Sequence, residues 1–425
     1  MRVAIVGGGV AGLVCAHRLC EAHDVELFEA SEWLGGHAHT VDVEVDGVAV
    51  AVDTGFIVYN ERNYPRFTAL LRELGVETRP TGMSFGFRSD RTGIEYAGGS
   101  WSGLLASPRH LLRPRYLAML RDAARFYRTA ARALEDDALE GVSLGDWLER
   151  ERYGAAFCED HLLAMGGAIW SVRAEHVRAF PARAFLEFFA NHGLLTLSDR
   201  PRWRVVRGGS RRYVDALAKG FRERVRLGAP VASIRRDAEG VEVATEAGGA
   251  YRFDAVVLAC HSDQALALLA DATARERDVL GAIAYQANDV VLHTDESHLP
   301  RARRARAAWN YRVPVADGER VTVTYDMSLL QGLDTPRPLL VTLNASEPVR
   351  EDAVLGRFEY AHPVFDARAV AARARHGELQ GERHTYYAGA YWGHGFHEDG
   401  VASAHRAVAA LEAHARRRSR AGRGA

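Results

Sequence analysis

The sequence predicts an α/β fold. A parallel sheet, which the chain leaves and later re-enters, is interleaved with an α+β domain carrying an antiparallel sheet. Three observations predict it. The first forty residues run strand, glycine turn, helix, strand. That rhythm stops near Arg79 and resumes near Pro201. The intervening and later stretches hold short β-rich runs at hairpin spacing.

The opening unit carries the most specific signal. Arg2–Val6 is an apolar run that breaks into Gly7-Gly8-Gly9-Val10-Ala11-Gly12, a G-x-G-x-x-G turn. Leu13, Ala16 and Leu19 continue at helical spacing, and Val25–Phe28 ends on Glu29. In a Rossmann-like βαβ unit the first glycine allows the tight turn. The second lets backbone approach a pyrophosphate, and the third lets helix and sheet pack closely. The helix N-terminus offers N–H groups to phosphate, and an acid at the next strand end accepts ribose hydroxyls. Gly7, Gly9, Ala11, Gly12 and Glu29 are therefore candidate cofactor contacts.

Composition narrows the class. The 425 residues are 48% apolar and 26% charged, with net charge −1. That length suits two or three domains, or two interleaved ones, and that balance argues against a nucleic-acid binder. Lys219 is the only lysine. Cys15, Cys20, Cys158 and Cys260 form no ligand-spaced set, so no metal is expected and the thiols read as buried in a reducing compartment. No apolar run reaches the roughly 20 residues of a membrane span. The glycine-rich opening lacks a separate charged leader region. A cytoplasmic protein is expected.

Along the chain, Gly35-Gly36 permits another close backbone approach. Val41–Val45 and Val48–Val52 read as strands around Asp46-Gly47 and lead into Asp53-Thr54-Gly55-Phe56. Tyr64–Leu74 reads as a helix ended by Gly75. Ser84–Arg88 and Ile94–Tyr96 then read as strands of the second domain. Arg115–Leu134 reads as a helix with Tyr116, Leu120, Ala123, Tyr127, Ala131 and Leu134 on one face. Arg121, Arg125, Arg128 and Arg132 line another, which is either a solvated face or a peripheral contact with anionic membrane. Leu144–Leu148 and Tyr153–Ile169 read as further helices. Phe185, Leu186, Phe188 and Phe189 read as core or as the wall of an apolar tunnel.

The α/β pattern returns with Trp203–Val206, the helix Tyr213–Phe221, and strands at Arg226–Leu227, Val231–Arg235, Val241–Thr245, Tyr251–Phe253 and Ala255–Leu258. Val290–His293, Ala307–Arg312, Val321–Asp326 and Leu339–Leu343 are spaced as an antiparallel sheet. On it, Trp309 and Tyr311 share a face, to be core or pocket wall. Thr385–Ala390 reads as a strand and Val401–His414 as a helix. The expected division is a dinucleotide-binding domain at 1–78, 201–275 and 376–415, a substrate domain at 79–200 and 276–375, and a basic disordered tail at 416–425.

Taken together, the glycine turn, Glu29-Ala30, Gly35-Gly36, Asp53-Thr54-Gly55 and the Gly389 to Gly400 segment resemble the flavin-containing amine oxidase superfamily. Monoamine oxidases, protoporphyrinogen oxidases and phytoene desaturases belong to it. The resemblance implies FAD in a split domain of the glutathione-reductase type. It adds Gly36, His37, Thr54, Gly55, Phe56, Val231, Gly389 and Gly400 to the cofactor contacts. This chain has His37 where many relatives have arginine, and Ala390 where an acid is frequent. A lysine near flavin N5 is common in the amine oxidases; Lys219 is expected to lie far from that position.

A closer resemblance rests on the runs Gly35–Thr40, Asp53–Arg62, Ala168–Ser171, Asn191–Leu195 and Gly389–Gly393. These are similar to flavoproteins whose genes accompany bacterial cyclopropane fatty acyl synthases. The resemblance implies hydride transfer from a substrate carbon to flavin N5, oxidising or desaturating a cyclopropane or methyl-branched acyl chain. It also implies association with such a synthase. Amine oxidation, flavin-dependent isomerisation and a non-catalytic FAD protein are the alternatives. His394, His397, Tyr59 and Glu61 are the candidate acid–base groups.

Overall fold

Five parallel strands hold the centre of the molecule. Their order is Val225–Arg226, Asp24–Phe28, Arg2–Val6, Ala255–Leu258 and Thr385–Tyr387. The computed structural model describes residues 1–135, 139–170, 172–195, 201–315 and 321–421. Strand Arg2–Val6 is covered on both faces, which is why it reads as unbroken apolar sequence. Val3 and Ile5 pack with the helices Val10–Leu19 and His397–Ala421. Ala4 and Val6 point the other way, toward the antiparallel ribbon Val231–Arg236, Val241–Thr245 and Ala250–Phe253. From Arg2–Val6 the chain moves to one side of the sheet, at Asp24–Phe28, and returns much later on the other side, at Ala255–Leu258. That switch of order opens a crevice at the carboxyl ends of the strands.

The second sheet has seven strands. Their order is Val354–Pro363, Tyr285–His293, Leu340–Leu343, Thr322–Asp326, Trp309–Val313, Phe85–Ser89 and Glu95–Ala97. The expected sheet was antiparallel; this one is mixed, because Trp309–Val313 pairs parallel with Phe85–Ser89. These two strands lie more than two hundred residues apart, so no hairpin fixes their sense. Strand Val354–Pro363, which pairs along nearly the whole of Tyr285–His293, was not expected. It is an edge strand bearing Arg357 and Glu359, without clean alternation.

Helix Pro114–Ala133 buries Tyr116, Met119, Ala123, Phe126 and Ala130. The expected stripe was rotated: Ala131 is exposed, while Leu120 and Tyr127 turn toward an internal cavity. The arginine stripe is also broken. Arg125 lies over the Tyr153 ring and donates to the Glu151 and Arg152 carbonyls. The helical run after Gly154 contains a π turn at Cys158–Leu162. The last helix runs His397–Ala421, starting before Val401 and continuing through 416–421, where a disordered tail was expected. An i,i+4 pair between Glu412 and Arg416 supports the extension. Residues 422–425 and Ser171 lie outside the described residues. Among the described residues, no helix is long and apolar enough to cross a membrane.

Candidate active site

A cavity of about 1810 Å³ runs from the carboxyl edge of the parallel sheet into the helical layer. Small-molecule pockets occupy roughly 300–1,000 Å³, so it has room for a cofactor and a substrate end to end.

Its sheet end is made of backbone. Gly7 has φ +107°, and a Cβ on Gly12 would sit 1.9 Å from the Gly7 carbonyl oxygen. Gly12 therefore brings the helix against the sheet without reaching the cavity wall. A Cβ on Gly9 would meet nothing within 4 Å, while one on Gly36 would sit 3.2 Å from the Gly9 Cα. The two glycine turns thus lie side by side and both face the cavity. The helix Val10–Leu19 has no side-chain cap and no acid in its first turn, leaving its N–H groups for an anion. The Glu29 carboxylate accepts the Gly8 N–H at 2.6 Å and the Ser31 N–H at 2.8 Å, and lines the cavity beside Val231. An uncapped helix end, a side-chain-free cradle and a strand-end acid are what a dinucleotide's pyrophosphate and ribose require.

Farther in, His37 lies among Tyr360, His362 and His261, at ring separations of 5.0, 5.5 and 6.0 Å. Burial lowers the pKa of His37 to about 4, with His261 contributing; burial also takes His261 to about 4 and His362 to about 3. The position carries no cation at pH 7. Thr54 is buried behind the wall, between the His39 carbonyl at 3.1 Å and the Tyr360 hydroxyl at 2.7 Å. Gly55 backs onto the His37 carbonyl, and Phe56 stacks on His397 at 3.4 Å. Asp53 binds Thr40 at 2.6 Å, Ser210 N–H at 2.8 Å and Gln331 at 3.2 Å, and burial raises its pKa to about 6. It ties three segments together below the cavity.

Among the expected acid–base groups, the cavity gathers His394 and His397 and leaves out the others. His397 is held by a 2.7 Å hydrogen bond with the Tyr213 hydroxyl, and burial lowers its pKa strongly. His394 sits on a loop fastened by Asp399, whose carboxylate accepts the His394 and Phe396 N–H groups at 2.9 and 3.0 Å. Desolvation beside the cavity wall and the nearby Arg373 lower its pKa to about 4, although the residue is exposed on its outer side. Tyr59 is core, edge-on to Tyr64 and Phe67. Glu61 is exposed and paired with Arg72 and Arg204. Gly389 lines the cavity, whereas Gly400 is a packing residue: its Cβ would lie 2.8 Å from Val10 Cγ1. Helix His397–Ala421 begins before Gly400, so that glycine serves helix contact instead of opening the helix. Lys219 is exposed and away from the wall.

The far arm is lined by side chains that include Leu104, Met119, Leu120, Met165, Ile169 and Phe188. Phe188 reaches the wall, while Phe185, Leu186 and Phe189 are core. Trp309 also lines the cavity; Tyr311 packs on Phe87 instead. Sequence reasoning missed His161, which lines the arm and hydrogen-bonds both Tyr96 and Tyr127 at 2.9 Å. Its π turn is invisible to a period-3.6 reading, although such turns mark functional sites. His192 and His261 also line the cavity. The first lies in the run Asn191–Leu195, which was the available signal, and the second is the N-cap of the helix Ser262–Leu268 that follows strand Ala255–Leu258.

The fold and this site define a protein built to hold a dinucleotide cofactor beside an apolar pocket. Residues 10–354 match the flavin containing amine oxidoreductase family, and the chain belongs to it. A putrescine oxidase variant superposes with TM-score 0.68 at 17% identity, covering 97% of this chain and 99% of that one. A CLA-producing fatty acid isomerase from P. acnes does so with TM-score 0.66 at 16% identity, over 95% and 96%. Two curated relatives match over only 8% and 15% of their own lengths. One of them, a zeta-carotene desaturase from Synechocystis sp., is 40% identical over 78 residues, 18% of this chain.

Proposed function

We propose that the protein oxidises or desaturates a modified fatty acyl chain, cyclopropane-bearing or methyl-branched. The observation that carries this reading is the character of the far arm. Among the described residues, the carboxylates on the cavity wall are Glu29, at the sheet end, and the exposed Glu359. A cationic amine entering the arm would lose hydration without a counter-charge, a cost of several kcal/mol by order of magnitude. An acyl chain gains about 0.8 kcal/mol per buried CH₂.

FAD, once bound, supplies a two-electron acceptor. The chain's own residues do the rest. Gly7, Gly9, Gly36 and the helix N-terminus hold the pyrophosphate, and Glu29 the ribose. The apolar arm orients the substrate and excludes water. His394 and His397, neutral at pH 7, can accept a proton at a ring nitrogen; His397 already engages Nε2 with Tyr213. The glutathione-reductase type of the cofactor domain, the domain division expected from the sequence, and association with a cyclopropane fatty acyl synthase belong to the same proposal. Amine oxidation is the second reading, favoured by the polar Tyr96–His161–Tyr127 group on the arm.

Anaerobic addition of cyclopropane or methyl-branched phospholipids to the flavoprotein, compared with amines, tests the proposal through flavin absorbance. Bleaching by the acyl lipids supports it. Bleaching by amines alone sinks it. Product formation with no net bleaching and no acceptor indicates isomerisation.

A further inference from the structure

Five of the nine exposed large apolar side chains among the described residues fall in one short stretch: Trp101, Leu105, Leu111, Leu112 and Leu117. Trp101 and Leu112 are 82% and 84% exposed. Single exposed apolar residues need no explanation, but a cluster marks an interaction surface. The stretch is a short helix Trp101–Leu104, a 3₁₀ turn Pro108–Leu112 and the start of helix Pro114–Ala133. The Tyr116 hydroxyl donates to the Leu104 carbonyl at 2.6 Å and pins them together. Trp101, Leu105 and Leu111 are both exposed and part of the cavity wall. The apolar arm therefore opens at this surface.

The same stretch is basic. From Tyr96 to Arg121 there is no aspartate or glutamate, and there are four arginines. Arg115 is neutralised by Glu159 and Asp160, each at 2.7 Å. Arg109, Arg113 and Arg121 flank the apolar residues, with Arg113 bonded to the Thr92 carbonyl and Arg121 76% exposed beside Asp122. Tryptophan and leucine side chains ringed by arginines are the composition of a segment that lies in the interface of an anionic bilayer. The arrangement differs from the stripe expected along Arg121–Arg132, because it sits at the cavity mouth.

We infer that the surface from Trp101 to Arg121 docks the protein on an anionic lipid bilayer, with Leu112 and Leu117 inserted among the acyl chains and the cavity mouth facing the membrane. The inference deepens the acyl-substrate reading and rests on it for why the mouth should face lipid. Docking itself needs no turnover. The cavity mouth lies within the patch and arginines flank it; a bilayer supplies both acyl chains and the opposite charge.

The test is flotation of the FAD-loaded protein with vesicles of phosphatidylcholine and phosphatidylglycerol at 7:3, against phosphatidylcholine alone, with no modified acyl lipid present. The expected result is binding to the anionic vesicles that weakens with salt. The double substitution Leu112→Ser/Leu117→Ser lowers that binding at least about tenfold, as expected for two leucines withdrawn from hydrocarbon. Arg109→Glu/Arg113→Glu abolishes the preference for anionic vesicles. Neither variant touches the cavity wall, so FAD content stays at the wild-type level and reports folding. Equal binding by the wild type and Leu112→Ser/Leu117→Ser would overturn the inference. So would sedimentation showing a wild-type dimer that this variant converts to monomer, since the patch would then join two copies. Failure of acyl lipids to bleach the flavin, with vesicle binding intact, would remove the substrate reading and leave the docking surface standing.

Discussion

The two ends of the cavity are built from different material. At the sheet end the ligand meets backbone: glycine turns, an uncapped helix terminus and one carboxylate, from residues close together in sequence. At the far end it meets side chains from segments around 101–127, 161–170 and 188–194. A backbone site works by close approach and fails when any Cβ intrudes. A side-chain pocket works by volume and can be reshaped without disturbing the sheet. Cofactor loading and substrate entry should therefore separate under mutation.

The largest effect is expected at Gly12. In Gly12→Leu the new Cβ would overlap the Gly7 carbonyl oxygen, 1.9 Å away, so the helix must move off the sheet and the phosphate cradle with it. The purified variant should carry almost no flavin, read from the ratio of flavin to protein absorbance. Near-normal flavin content would show that the glycine turn is not the cofactor's anchor. Leu120→Trp makes the opposite cut. It should leave flavin content unchanged and slow anaerobic bleaching by acyl lipid by roughly 10–200-fold, the range for a hydrophobic pocket altered in volume. If flavin is lost instead, the two ends are coupled and the comparison is broken.

The same contrast explains what the sequence made legible. The sheet end follows from local spacing: glycines at fixed offsets, an acid at a strand end, a helix between. Of the expected cofactor contacts, Gly7, Gly9, Ala11, Glu29, Gly36, His37, Gly55, Phe56, Val231 and Gly389 line the cavity, and Gly12, Thr54 and Gly400 are packing residues behind the wall. The arm arises from tertiary contact. His161 enters through a π turn, and Leu120 and Tyr127 face the cavity because the buried stripe of their helix runs one residue aside from the expected one. Periodicity finds an apolar face; it does not say whether core or cavity lies against it. The parallel pairing of Phe85–Ser89 with Trp309–Val313 was illegible for a related reason: no turn joins them.

A smaller effect belongs to Glu29. Its carboxylate holds the Gly8 and Ser31 N–H groups. Glu29→Gln keeps the shape and one acceptor but loses the charge, so FAD affinity should fall roughly tenfold, the difference between charged and neutral hydrogen bonds. Titration of apoprotein with FAD measures it, and an unchanged affinity would remove Glu29 from the cofactor site.

The mildest perturbation is acid. His37, His261 and His362 have pKa values of about 4, 4 and 3, lowered first by burial, against about 6.5 in an unfolded chain. Between those limits the unfolded state binds more protons than the folded one, so stability rises with pH. Their contribution is complete above about pH 6.5 and is lost as pH falls toward 4. The thermal midpoint should be flat from pH 8 to 7 and decline below about 6.5. Because the slope counts protons, His37→Gln should make the decline shallower by up to about one proton. An unchanged slope would mean that the acid sensitivity belongs to other buried histidines, His161 on the arm foremost, whose pKa is also lowered to about 4 by burial. The pair His37→Gln and His161→Gln thus locates which end of the cavity yields first, and flavin release monitored alongside unfolding distinguishes them: flavin lost before the fold melts places the first proton at the His37 end, and flavin lost only together with the fold places it on the arm.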